Sequence, residues 1–146
     1  MTEHGWHVRG VVLPEGEPRD LWIDRYGRVS AQPLAGAETL ARDGFLLPGL
    51  VDAHCHVGLA AHGGVDEAEQ ERQIRADRDA GALLLRDAGA PVDTRWIDDR
   101  PDLPRLIRAG RHIARTKRYL RHYGAEIEPD QLVAEVERQA ARGDGW

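Results

Sequence analysis

The chain is poor in several residue types at once: one cysteine, one lysine, one methionine and one phenylalanine in 146 residues. The single cysteine, Cys55, excludes an intrachain disulfide framework and suits a reducing, cytoplasmic setting. No apolar run approaches the roughly 18–20 residues that a membrane helix needs. The start, Met1-Thr2-Glu3-His4-Gly5, lacks both the basic region and the apolar stretch of a secretory signal, so no membrane partner is expected. Positive charge is also short. The net charge of −5 means that the chain as a whole is not built for polyanions. What remains is ordinary, with 41% hydrophobic and 31% charged residues, which is enough apolar material for a core. Length alone suggests one domain. It also excludes a complete (β/α)8 barrel, which takes roughly 200–250 residues.

Along the chain, the first part reads as β. His7–Leu13 is short and rich in β-branched residues, and Pro14-Glu15-Gly16 breaks it. Leu21-Trp22-Ile23 and Arg28-Val29-Ser30 flank a turn over Asp24–Gly27, and a weaker strand occupies Glu38–Ala41. Residues 1–44 therefore predict a small antiparallel sheet. Beyond it, Phe45–Val57 has a buried-strand pattern opened by Pro48-Gly49. Asp66–Ala80 predicts an exposed helix ended by Gly81, and Ala82–Leu85 a second buried strand. Leu103–Gly110 predicts a third strand. Pro129–Arg142 predicts a helix whose buried face is Leu132, Val133, Val136 and Ala140. Alternating strands and helices argue for parallel βα units in an α/β fold.

Asp52-Ala53-His54-Cys55-His56 carries the strongest chemical signal. On a regular strand Leu50, Asp52, His54 and His56 share one face, and Val51, Ala53, Cys55 and Val57 share the other. Burying a carboxylate and two imidazoles without partners is costly. A divalent metal removes that cost by taking the two neutral imidazole nitrogens, with Asp52 orienting a ligand from behind. Cys55 faces away and reads as a small buried hydrophobe.

The run Leu47-Pro48-Gly49-Leu50-Val51-Asp52-Ala53-His54-Cys55-His56 resembles the metal-binding first strand of the amidohydrolase superfamily. Gly81–Gly89 and Leu103–Gly110 are similar to the second and third strands of its imidazolonepropionase and Xaa-Pro dipeptidase branch. The resemblance implies a fold of two parts. Residues 1–46 would be a β-rich segment of a β-sandwich, and 47–146 the first three or so strands of a (β/α)8 TIM-type barrel. It also implies hydrolysis of an amide or cyclic-amide C–N bond in a small-molecule substrate. His54 and His56 would be metal ligands, for one or two divalent ions, zinc being the expected one. Family members take further ligands from later strands, often a lysine and two more histidines, and the general base from an aspartate at the eighth. Lys117, the sole lysine, lies among Arg115, Arg118 and Arg121 rather than at the end of an apolar strand, so it is a poor candidate for that ligand. The resemblance thus places the general base beyond Trp146, and the expectation is a chain inactive alone: a truncated frame, half of a split enzyme completed by a second chain, or part of a homo-oligomer.

Two further residues are candidates for substrate binding. Asp87 ends the second predicted strand, at the face where barrel enzymes place their sites. Set against this is an Asp that starts a turn with Ala88-Gly89 or pairs with Arg86. His112, just after the third strand, could reach the same mouth. Glu3, His4, His7 and His62 lack a supporting pattern.

Segment 105–121 supports a rival reading. Arg105, Arg108, Arg111, Arg115, Arg118 and Arg121 recur every three or four residues, and the stretch to His122 carries +7 with no acid. As one helix it would form a basic stripe for nucleic acid or another polyanion. Gly110 and the strand-like Leu106-Ile107 argue against a single helix, and a solvated face paired with the acidic stretch Asp66–Asp79 is the default. A stand-alone metal-binding protein is the third possibility.

Overall fold

A computed structural model describes residues 5–119, 121 and 123–145; Glu3, His4, His122 and Trp146 lie outside the described residues. The chain divides into two units, Met1–Pro48 and Gly49–Trp146.

The first unit is one sheet. It holds β1 (Trp6–Val12), β2 (Glu17–Ile23), β3 (Val29–Ser30), β4 (Glu38–Ala41) and β5 (Phe45–Leu46). β1 and β2 form an antiparallel hairpin from Trp6↔Ile23 to Val12↔Glu17. The β2–β3 turn is held by Asp24, whose Oδ1 accepts the backbone N–H groups of Tyr26 (2.8 Å) and Arg28 (3.0 Å). Gly27 supplies the left-handed backbone there, with φ 78°. β4 and β5 both pair parallel to β1, which corrects the expected all-antiparallel sheet. The loop after β3 is long enough to carry the chain back across the sheet, so β4 starts beside the start of β1. His7 is a structural residue of this unit. Its Nε2 lies 2.8 Å from Asp20 Oδ1, its Nδ1 3.1 Å from Thr39 Oγ1, and its ring stacks on Trp22.

The second unit is α/β. Its elements are β6 (Leu50–Cys55), β7 (Leu59–Ala60), β8 (Gly63–Gly64), α1 (Glu67–Asp79), β9 (Ala82–Asp87), β10 (Arg105–Arg108), β11 (Ile113–Ala114), β12 (Ala125–Glu126) and α2 (Leu132–Arg142). β6, β9 and β10 make a parallel three-stranded sheet in the order β10-β9-β6. α1 connects β6 to β9, and Asp66 caps its start by accepting the Glu69 N–H at 2.9 Å. The core lies between this helix and one face of the sheet: Ile74 and Leu85 are fully buried, joined by Val57, Ala82, Ile97, Leu103 and Leu106. Among the described residues no helix is long and apolar enough to cross a membrane.

Two burial expectations are corrected. β6 is not a buried strand: Leu50 and Val51 are 53% and 60% exposed. The reason is its place at the edge of the sheet, with β9 on one side only. In α2 the expected face is reversed. Glu135 and Gln139 are buried, while Leu132, Val133 and Val136 are exposed. Gln139 packs on Gly110, where an added Cβ would come within 2.5 Å of it, and its Oε1 accepts the Arg111 N–H at 2.7 Å. A polar contact, rather than an apolar one, holds this helix to the turn that follows β10.

Candidate functional site

The histidine segment closes β6. Pairing with β9 runs Asp52↔Leu85 and then Cys55↔Asp87, so β6 uses three residues where β9 uses two. One extra residue in a strand bends it and re-aims the side chains that follow. It also breaks the expected alternation. Paired neighbours in a sheet point the same way, so Asp52 and Cys55 lie on one side, that of Leu85 and the core. Cys55 packs against the core cluster there. On the same side Asp77 of α1 has its carboxyl pushed up by burial and by the charge of Asp52. Asp52 is thus turned toward α1 rather than standing behind an imidazole, and its Oδ1 accepts the His54 backbone N–H at 2.9 Å. This short side-chain bond replaces part of the ladder at the irregularity.

His54 and His56 are nevertheless brought together, their ring centroids 5.4 Å apart and the rings nearly perpendicular. His54 is exposed and His56 half-buried. His56 Nδ1 lies 2.7 Å from the carbonyl oxygen of Gly89. A carbonyl only accepts, so Nδ1 carries a proton, and in the neutral imidazole Nε2 keeps its lone pair. That is the state in which an imidazole takes a metal while its other nitrogen is held by a carbonyl. The pair therefore fits two corners of a divalent-metal site. No group of three or more His, Cys, Asp or Glu that could hold a metal occurs among the described residues. Cys55 packs toward the core instead, where burial, with the charges of Asp87, Asp52 and Asp77, pushes its thiol up to about 12.

Asp87 is 2% exposed. Its Oδ1 accepts the Gly89 N–H at 2.9 Å, so it starts the Ala88-Gly89 turn. Burial pushes its carboxyl up to about 6, against the opposing pull of the Gly89 N–H, His56 and Arg108. A carboxyl raised in the folded state binds more protons there than in the unfolded chain. Its contribution to stability is therefore lost as the pH rises from the usual carboxylate range to about 6. Asp87 lines a cavity of about 150 Å³ that Arg95, Arg108 and Arg142 also line. A cavity of about 760 Å³ runs along Arg105–Arg108 of β10, the opposite edge of the sheet from the histidines. The His112 side chain is exposed, and its carbonyl accepts the Ala125 N–H at 2.7 Å. His62 is exposed in the β7–β8 turn.

Among the described residues the arginine segment forms no helical stripe. Arg108 is buried and bonds Thr94, Asp98 (2.8 Å) and Asp144 (3.2 Å). Arg111 Nε donates to the Tyr123 carbonyl at 2.6 Å, Arg115 pairs with Glu128 at 3.4 Å, and Arg118 pairs with Glu126 at 3.1 Å. These partners lie outside the acidic helix, whose Glu69 and Glu71 pair instead with Arg72, Arg75 and Arg100. Lys117 is exposed, with φ 69°.

Two residues at this site were not singled out by the sequence. Gly89 was visible only as part of a turn. Tyr123 had no local signal; it is 2% exposed, and its hydroxyl donates to the same Gly89 carbonyl at 3.0 Å. Burial and the charge of Asp87 push that hydroxyl's pKa up.

No family model matches the chain. Uncharacterized proteins of Mycobacterium tuberculosis and Mycobacterium bovis are 57% identical to it over 141 residues, which is 96% of this chain and 38% of each relative. The chain thus spans well under half the length of these relatives. Among solved structures, a Bifidobacterium longum chain assigned as a prolidase matches with TM-score 0.70 at 13% identity, over 97% of this chain and 39% of that one. A Xaa-Pro dipeptidase with methionine bound in its active site matches with TM-score 0.63 at 15% identity, over 92% of this chain and 44% of that one. At these identities the likeness is one of fold.

Proposed function

We propose that this chain is part of a metal-dependent hydrolase of the amidohydrolase superfamily that cleaves an amide or cyclic-amide C–N bond in a small-molecule substrate. In this reading β6, β9 and β10 are the first three strands of a (β/α)8 barrel, and residues 1–46 belong to a β-sandwich. One observation carries it: His56 is fixed with Nε2 bare, beside the ring of His54, at the C-terminal end of a parallel strand. The fold likeness to a Xaa-Pro dipeptidase supports the same class. His54 and His56 would hold the ion, with zinc the expected one. A divalent metal supplies polarisation of the scissile carbonyl and a water of near-neutral pKa. This chain's own part is to orient the His56 imidazole through the Gly89 carbonyl, beside the ring of His54. Two protein ligands fall short of the three typical of a catalytic zinc site, so the remaining ligands and the general base would come from a second chain, another copy or further residues.

Zinc titration of the purified protein tests this. The expected result is one ion per chain, lost in both His54→Ala and His56→Ala, with no turnover of Xaa-Pro dipeptides by the 146-residue chain alone. Hydrolysis is expected instead from the longer Mycobacterium tuberculosis relative, and its loss on changing the two aligned histidines. Zinc uptake indifferent to both substitutions would sink the reading.

A further inference from the structure

We infer that Tyr123 is a positioning residue for His56, acting through the carbonyl of Gly89. The inference rests on the metal-site reading above and adds what sets the tautomer of that site. Two donors converge on one oxygen: His56 Nδ1 at 2.7 Å and the Tyr123 hydroxyl at 3.0 Å. A carbonyl has two lone pairs, so both bonds form together and the acceptor is saturated. The direction of that carbonyl decides which imidazole nitrogen is protonated. If it swings away, Nδ1 loses its acceptor, and the proton is free to move to Nε2, the form isolated imidazole side chains favour. Nε2–H cannot bind a metal.

The residue that bears this carbonyl is itself held. Gly89 has φ 110°, its N–H is tied to Asp87 Oδ1, and a Cβ there would lie 2.3 Å from the Gly110 carbonyl. This is a left-handed turn that a side chain would strain, pressed against the chain that follows β10. The N–H bond fixes one end of the residue, and Tyr123 fixes the other. Tyr123 is itself fixed, since its ring is buried and its carbonyl accepts Arg111 Nε at 2.6 Å. Residues from four separate stretches, at 56, 87–89, 111 and 123, thus converge on one tautomer. Tyr123 therefore orients His56 through the shared carbonyl, and no sequence neighbour of the histidine pair predicts it.

The test is Tyr123→Phe, which keeps the ring and leaves no orphaned acceptor, because Gly89 retains His56 as a donor. Long-range ¹H–¹⁵N correlation spectra of the metal-free protein report the protonated nitrogen of His56. The wild type is expected to show Nδ1–H alone, and Tyr123→Phe a clear population of Nε2–H. Zinc affinity should fall about tenfold, the lower end of the range for losing an outer partner of a metal ligand. Ile97→Val, a buried change elsewhere in the core, serves as the control for simple destabilisation and should leave the His56 tautomer unchanged. A Tyr123→Phe protein with Nδ1–H alone and wild-type zinc affinity overturns the inference, whatever its melting temperature. If the wild type takes up no zinc yet the tautomer still shifts, the metal reading fails and the positioning role stands.

Discussion

The two helices of the second unit are held in opposite ways. α1 is the more charged, with few apolar residues, yet it seats a fully buried Ile74 against Leu85 and Leu106. α2 is the more amphipathic, yet it turns Glu135 and Gln139 inward and leaves Leu132, Val133 and Val136 exposed. An apolar stripe states that a face seeks cover. It does not state that the cover lies in the same fold. For α1, one well-placed isoleucine suffices, because its charged residues satisfy one another: Arg72 with Glu69, and Arg75 with Glu71. For α2, close approach to Gly110 and the bond from Gln139 to the Arg111 N–H decide the docking face.

Three substitutions order these contributions, all read as unfolding free energies from urea titration. The largest loss is expected from Ile74→Ala, about 2–5 kcal/mol, because a fully enclosed side chain leaves a cavity. Gln139→Ala should cost about 1–3 kcal/mol, since it strips the acceptor from a backbone N–H packed at the helix contact. Val136→Ser should change stability by no more than about 0.5 kcal/mol, as expected for an exposed site. If Val136→Ser instead costs as much as Ile74→Ala, the exposed face of α2 is covered in solution, and the contrast between the helices disappears. If Gln139→Ala is neutral, polar docking is not what holds α2.

The same contrast explains what the sequence revealed. Element positions were legible because they rest on local signals: Asp66 and Gly81 bracket α1, Pro129 opens the turn before α2, and Pro48-Gly49 leads into β6. The pairing of His54 with His56 was legible because a two-residue spacing sets adjacent rings in nearly any extended geometry. Burial of β6 was not, since it depends on which strands lie beside it. Nor was the inward side of α2, which Gly110 decides from a distance of more than twenty residues. The arginines of 105–121 show the limit of spacing most plainly. Their three-to-four rhythm suggests one face of a helix, but the segment passes through β10 and β11, and Arg108, Arg115 and Arg118 each find a different acid. Gly89 and Tyr123 escaped for the same reason. Their importance lies in meeting at one oxygen, and no local pattern encodes a meeting.

The extra residue in β6 makes that stretch a matter of parity. Across it the sides are exchanged, which is why Cys55 ends up with Asp52 rather than opposite it; a second shift, at Leu50/Val51, puts the extra residue in β9 instead. Identity at Ala53 is therefore less constrained than number. A larger side chain there changes one exposed position, whereas deleting that single residue would leave every ligand candidate in the sequence and turn the segment that carries them over by half a revolution.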